Sequence, residues 1–404
     1  MSKNIIFCAD GTWTAPGVEN QADDEAAASN VYQLFVDLKG NVDKQSLLLA
    51  NEQEKILTNS SGGIVQVAKY IYGMGDPHNG LVKRLGGAFG AELIVPIIRG
   101  YTFISRHWQM GDRIYLVGFS HGAYTARVLA QMIIDRGLLN REKLNLSARN
   151  KDEAWRFASS VWAQYLAHAP DMSPSLLGSV VRELPGFFCD SVDPTCISRP
   201  LSIEAVAVWE TVGQMGIPKY FNDKRYNVFR FNNTELHSRV KYGLQAIAID
   251  EQRLDLAPVL WDNRDRILQV MFPGIHHDVG GGYIGTDEDR SLSNGAYLWM
   301  HDALDDLGVN LAPSEVVADP LGPLHCDWYP PTRYLRIMPR QLPPPVTSST
   351  MVHQSVIERL SCGTTLLQQS AINGEWLSES YRPQPLQDYL RGEGAIPINW
   401  AIAR

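Results

Sequence analysis

A serine, a glutamate and a histidine each stand just beyond an apolar run. Ser120 lies in Gly118-Phe119-Ser120-His121-Gly122, Glu210 follows the run from Ile203 to Trp209, and His276 follows the run from Ile267 to Phe272 across Pro273-Gly274-Ile275. The three types have complementary chemistry. A histidine can take the serine hydroxyl proton, an acid can hold the histidine tautomer and stabilise the imidazolium, and the serine can then attack an acyl carbonyl.

The setting of Ser120 is specific. Tyr115, Leu116 and Val117 form a buried-strand pattern, while Ala123, Ala126, Val128, Leu129, Met132 and Ile133 recur at helical spacing. A G-x-S-x-G turn between strand and helix is a nucleophile elbow, in which the serine is strained and its hydroxyl lifted above the sheet. Gly118 and Gly122 fall where strand and helix come closest and a Cβ would clash. The helix start at His121 offers a backbone N–H and a positive dipole end to a developing oxyanion.

A second oxyanion donor would come from a loop after another strand. Asn4 to Cys8 is such a strand, and Ala9-Asp10-Gly11-Thr12-Trp13 is its turn, so Gly11 or Thr12 is placed to donate. The competing reading is an Asx-type turn in which Asp10 bonds nearby backbone N–H groups. An aspartyl phosphotransferase built on Asp10 would want a second acid two positions on, where this chain has Thr12.

The chain has ten histidines, and His276 and His277 alone combine a strand end with a glycine-rich loop, Gly280-Gly281-Gly282. His276 is the expected base and His277 the reserve. Asp278 is the alternative acid to Glu210. A shared metal on His276, His277 and Asp278 is disfavoured, because neighbours in an extended loop point apart. No cofactor motif emerges either: Gly80 to Gly90 is glycine-rich but lacks the G-K-[ST] ending of a P-loop.

The surrounding pattern predicts the elements that position these residues. Strands are expected at Val67 to Tyr72, Ile203 to Trp209, Ile267 to Phe272 and Tyr334 to Ile337. Helices are expected at Asn30 to Asp37, Ala91 to Trp108, Lys241 to Glu251, Ser291 to Leu307 and near Val352 to Leu360. Residues 143–199 form an insertion rich in Trp, Tyr, Phe and Leu, with Phe187 and Phe188 near its end, suited to core packing or to a helical cap over an acyl pocket. The expectation is one α/β domain over residues 1–404 of α/β-hydrolase type: a mostly parallel sheet, helices on both faces and a cap at about 143–199.

Composition narrows the partners. With 404 residues, 45% apolar, 20% charged and a net charge of −8, the chain is globular and lacks the basic surface of a nucleic-acid binder. Five scattered cysteines give neither a disulfide framework nor zinc-site spacing. No export signal and no run of eighteen apolar residues is visible, so a cytoplasmic product is expected, leaving only by a route that needs no cleavable signal.

These residues carry a resemblance. FCADGTW, YIYGMG, GDRIYLVGFSHGAYTAR, VAVWETVG, AIAIDEQR, FPGIHHDVGGGY, LSNGAYLWM and VHQSV followed by YRPQPL appear in order, and the chain resembles the type VI secretion phospholipase-effector-like α/β hydrolases. The resemblance implies a Ser-Asp-His hydrolase of lipid or phospholipid esters, peripheral membrane contact, and a secretion or immunity partner. Position by position, the nucleophile falls on Ser120 and the histidine on His276. Two positions depart from the family: Glu210 opens E-T-V where the family has D-T-V, and His121 stands where the family has Arg. The alternative is a non-catalytic or non-lipid-ester binding protein that keeps the hydrolase fold.

Overall fold

The computed structural model describes residues 2–11, 28–43, 52–72, 89–146, 151–167, 192–200, 202–212, 216–217, 226–227, 235–283, 286–328, 337–345, 349–370, 372–390 and 400–404. Its centre is a ten-stranded sheet. The strands are β1 (Asn4–Ala9), β2 (Asn41–Val42), β3 (Glu52–Thr58), β4 (Ile64–Ile71), β5 (Arg113–Phe119), β6 (Ile203–Trp209), β7 (Val240–Ala248), β8 (Ile267–Phe272), β9 (Thr350–His353) and β10 (Ile402–Ala403). Across the sheet they run β10-β9-β8-β7-β6-β5-β1-β4-β3-β2. All pairs from β10 to β4 are parallel, and β3 and β2 close that edge antiparallel. The sheet is therefore the mostly parallel α/β sheet expected.

Both faces are covered, which is why central strands such as β1, β5 and β6 are long apolar runs rather than alternating. In β1, Ile5, Phe7 and Ala9 face a core built with α2 (Phe89–His107), α3 (His121–Arg136) and α4 (Lys151–Ala167). Ile6 and Cys8 face the other core, built with α1 (Asn30–Asp37) and α6 (Ser291–Asp306). The Ser29 hydroxyl caps α1 by accepting from the Tyr32 N–H at 3.1 Å. Helix α4, from the aromatic insertion, buries Ala154, Ala158, Trp162 and Leu166 in the first core. Phe187 and Phe188 lie outside the described residues.

From β1 the chain first builds one side of the sheet with β2, β3 and β4 and then, through α2, passes to β5 on the other. The carboxyl ends of β1 and β5 thus flank a topological switch point, where open α/β sheets leave a crevice for ligands.

Several expectations need correction. Lys241 to Glu251 is not a helix, because β7 covers most of it between β6 and β8. Its Ala, Leu and Gln suit a helix by propensity, but a strand buried on both faces is also an uninterrupted apolar run, and periodicity does not separate the two. Strands β2 and β3 lie in a stretch for which no strand was expected, and Thr350 to His353 is a strand before α7 (Gln354–Ser361) begins. Most of the expected strand at Tyr334 to Ile337 lies outside the described residues, while Ile337 itself bridges to Arg253.

Candidate active site

Ser120 sits at the end of β5 with φ 54° and ψ −117°, a conformation that costs a non-glycine residue of order 1–3 kcal/mol. The strain is held by packing. A Cβ on Gly122 would collide with the Ala9 carbonyl, and one on Gly118 would collide with Gly122, so strand, turn and helix close only with glycine at both places. The Ser120 N–H extends the β5–β6 ladder by donating to Trp209 O at 3.1 Å. Its side chain makes no capping bond to α3, and the residue is 7% exposed. The next turn is therefore not what occupies its hydroxyl.

Glu210 follows Trp209 with φ 49°, a second strained residue at the same edge of the sheet. Its Oε2 is 3.0 Å from His276 Nδ1. Oε1 accepts from the Ala248 N–H at 2.7 Å. Arg340 closes on both oxygens, Nη1 to Oε1 at 2.9 Å and Nη2 to Oε2 at 2.7 Å, and donates onward to Ala248 O and Leu256 O. Burial would raise the Glu210 pKa, but the Arg340 charge and the His276 and Arg340 hydrogen bonds outweigh it and hold the carboxyl at about 2. Glu210 is a fixed anion at neutral pH.

His276 opens a short helix, α5 (His276–Gly280), directly after β8. The residues expected to lie in an extended loop are thus one helical turn, which sends three neighbouring side chains to three partners. His276 meets Glu210, His277 Nδ1 lies 2.6 Å from Asp327 Oδ2, and Asp278 Oδ1 lies 2.6 Å from His325 Nδ1. Asp278 Oδ2 also accepts from the Ile275 N–H at 3.0 Å, pinning the helix start. Burial lowers the His276 pKa, against the pull of Glu210, and favours the neutral imidazole. With Nδ1 turned to Glu210, that imidazole presents Nε2 as the free base, the tautomer proton abstraction requires.

Two contacts bring His276 beside the elbow. Its ring packs on Phe119 with centroids 4.7 Å apart, and Gly280 lies against the same phenyl ring so closely that a Cβ would overlap it. The residue after the serine, His121, lies close enough to His276 for the two to disfavour each other's protonation. Its pKa falls to about 4, chiefly from burial, so it is neutral where a family member would carry Arg.

At the neighbouring strand end, Asp10 behaves as a local acceptor. Its carboxylate takes the Gly11 N–H at 2.7 Å, the Ser29 hydroxyl at 2.6 Å and the Tyr70 hydroxyl at 2.7 Å. Gly11 lies against Ser120, where a Cβ would sit 3.2 Å from the serine Cβ, yet its N–H is turned to Asp10. Thr12 lies outside the described residues. Among the described residues no cluster of three or more His, Cys, Asp or Glu is arranged to hold a metal ion.

Arg340 and Glu251 were not found from sequence. Glu251 is fully buried, accepts the His276 N–H at 3.2 Å and pairs with Arg253. The adjacent Glu251-x-Arg253 spacing hints at that pair. Nothing around Arg340, in Met338-Pro339-Arg340-Gln341, points to a residue 130 positions away.

The doubly wound sheet, with a strained serine at its switch point and a buried acid–histidine pair beside it, defines an α/β-hydrolase-like protein. More narrowly, the pattern of the type VI secretion system Tle1-like phospholipase effector catalytic domain matches residues 3–303, and the chain belongs to that family. An uncharacterised Saccharomyces cerevisiae protein, YEL023C, is 32% identical over 159 residues, which cover 39% of this chain and 21% of the yeast protein. An uncharacterised Pseudomonas aeruginosa protein of known structure aligns with TM-score 0.39 and 15% identity over 79% of this chain and 47% of its own. The structure of the Tle1 effector bound to the VgrG spike aligns with TM-score 0.38 and 14% identity over 78% and 74% respectively.

Proposed function

We propose that the chain is a serine ester hydrolase acting on a lipid or phospholipid through Ser120, His276 and Glu210. The observation that carries this reading is the buried Glu210–His276 hydrogen bond at 3.0 Å, packed against the residue that precedes a strained serine. His276 Nε2 takes the Ser120 hydroxyl proton as Oγ attacks the acyl carbonyl. Glu210, already ionised, stabilises the imidazolium that forms. The backbone N–H of His121 supports the oxyanion, and the second donor is Gly11, whose N–H would leave Asp10 for it, or Thr12. The imidazolium then protonates the leaving alcohol, and water activated by the same histidine releases the acyl group from Ser120.

Membership of a type VI effector family supports delivery without a cleavable signal, and with it a secretion partner, an immunity partner and peripheral contact with a target membrane. Residues 1–404 act in this reading as one hydrolase domain, and the cap within about 143–199 is built outside α4, which packs in the core.

Labelling with a fluorophosphonate and mapping the modified peptide tests the mechanism without knowledge of the substrate. The expected result is one label on Ser120, absent from Ser120→Ala, whose kcat on short p-nitrophenyl esters falls by ~10⁴ or more. An unlabelled but folded wild-type protein would contradict it.

A further inference from the structure

The strand that delivers His276 has a neighbour that ends beside it. Strands β7 and β8 run parallel with Ala248 opposite Phe272, so the residues that follow each leave the sheet side by side. Asp250 and Glu251 come after β7, and Gly274, Ile275 and His276 come after β8. The two stretches are joined at three points. The Asp250 N–H donates to Gly274 O at 2.9 Å, the Gly274 N–H donates to Asp250 Oδ2 at 2.7 Å, and the His276 N–H donates to Glu251 Oε2 at 3.2 Å. The Tyr381 hydroxyl steadies Asp250 by donating to the same Oδ2 at 2.9 Å.

Glu251 is fully buried and built to stay ionised. Its Oε1 accepts the Arg253 N–H and Arg253 Nε, both at 2.8 Å, and its Oε2 accepts Arg253 Nη2 at 2.7 Å besides the His276 N–H. Burial would raise the Glu251 pKa, but the Arg253 hydrogen bonds and charge, with the more distant charges of Arg340 and His276, outweigh it and lower it. A buried ion pair adds little stability over apolar side chains of the same volume, so stability alone does not account for one placed under the base.

His276 meets charge on several sides. Glu210 stands at Nδ1 with Arg340 beyond it, Glu251 at the backbone, His277 on the same helical turn and His121 at the start of α3. The two carboxylates favour its protonation, and the two histidines oppose it. Arg253 also reaches Asp327 Oδ2 at 3.3 Å, so one guanidinium ties together the acids that hold two consecutive histidines.

We propose that Glu251 is a second positioning residue for His276, fixing the backbone of the base while Glu210 fixes its ring, and setting another permanent negative charge beside the imidazolium that forms during turnover. The use of that charge in catalysis rests on the hydrolase reading, whereas the hold on His276 stands on the hydrogen bonds.

The Asp250 carboxyl, lifted by burial to about 6, titrates where a histidine does, so the imidazole itself is the first readout. It is followed by nitrogen NMR of isotope-labelled histidines in the Ser120→Ala protein, with His276→Gln assigning the signal. His276 should take its proton at lower pH once Glu251→Gln is added, return towards the parent with Glu251→Asp, and take it at higher pH with Arg253→Gln, which strips a cation from Glu251. A merely structural role gives no reason for shifts of opposite sign. An unmoved His276 in a folded Glu251→Gln protein would overturn the proposal, and if that variant does not fold, an unmoved His276 in Arg253→Gln would do so.

Kinetics on a soluble p-nitrophenyl ester, with Ser120 in place, supply the second test. Glu251→Gln should lower kcat about tenfold with KM little changed, the scale of one hydrogen bond to a charged group, and its acid limb should follow the imidazole. Full kcat with an unmoved acid limb would overturn the positioning role. A parent protein that hydrolyses no ester would contradict the hydrolase reading instead, and the NMR titration would still decide whether Glu251 acts on His276.

Discussion

The elbow and the acid–histidine pair meet at one edge of the sheet but are built on opposite principles. The elbow is local: five consecutive residues, two glycines without which it cannot close, and the backbone of Ala9 and Asp10 as the distant surface they must clear. The acid–histidine pair draws on four separated segments, with Glu210 after β6, Ala248 at the end of β7, His276 after β8 and Arg340 well beyond them. The strain at Ser120 is maintained by sterics, whereas the orientation of His276 is maintained by a charged network with Arg340 at its far end. The two should therefore fail differently when perturbed.

The largest effect is expected where sterics act alone. Gly122→Ala drives a Cβ into the Ala9 carbonyl, so the elbow must open or the helix must shift, at a cost of about 3 kcal/mol or more. Thermal unfolding should show the loss, and a variant as stable as the parent would mean that the close approach is not enforced.

A smaller and chemically distinct effect is expected from Arg340→Met. Without the guanidinium Glu210 loses the main cause of its depressed pKa, and His276 loses a nearby positive charge, so both pKa values rise. The acid limb of the kcat/KM profile against pH should move up. Linkage runs in the same direction. A carboxyl depressed to about 2 contributes stability that is complete above its unfolded value, near 4.5, and is lost as the pH falls towards 2. The variant should accordingly lose stability near neutrality and show a shallower further loss on acidification than the parent does. An unmoved acid limb would separate Arg340 from the base.

The smallest effect is expected at His277. It is committed to Asp327 at 2.6 Å rather than to Glu210, so His277→Gln should change kcat by less than tenfold, where loss of a general base costs about 10² to 10⁴. A collapse of kcat in that variant would make the second histidine the base.

The same contrast explains what could be read in the sequence. The elbow was legible because its requirement is written in consecutive residues: apolar strand, Gly-Phe-Ser-His-Gly, apolar helix. Helix α1 was legible in the same way, expected at Asn30 to Asp37 from the residues of that stretch alone. Glu210 and His276 were legible as strand-end residues in the right chain order, but the network that joins them was not. Arg340 comes from a proline-rich segment with no periodicity, and only the fold brings it to Glu210. The partner of Asp278 was hidden for the same reason, since His325 lies 47 residues away and approaches only because α5 turns the aspartate from His276. Strand β7 was misread because burial on both sheet faces removes the alternation by which a strand is recognised.

The central claim is that Glu210, not Asp278, orients His276, and paired kinetics of Glu210→Gln and Asp278→Asn test it most directly. Glu210→Gln leaves Arg340 facing a neutral side chain, so kcat should be measured beside thermal unfolding, with Glu210→Asp as the charge-preserving control. The geometry predicts a fall in kcat of up to ~10⁴ for Glu210→Gln, a milder one for Glu210→Asp, and for Asp278→Asn a loss of stability with kcat largely kept. Near-normal turnover in Glu210→Gln with a collapsed kcat in a folded Asp278→Asn would contradict it.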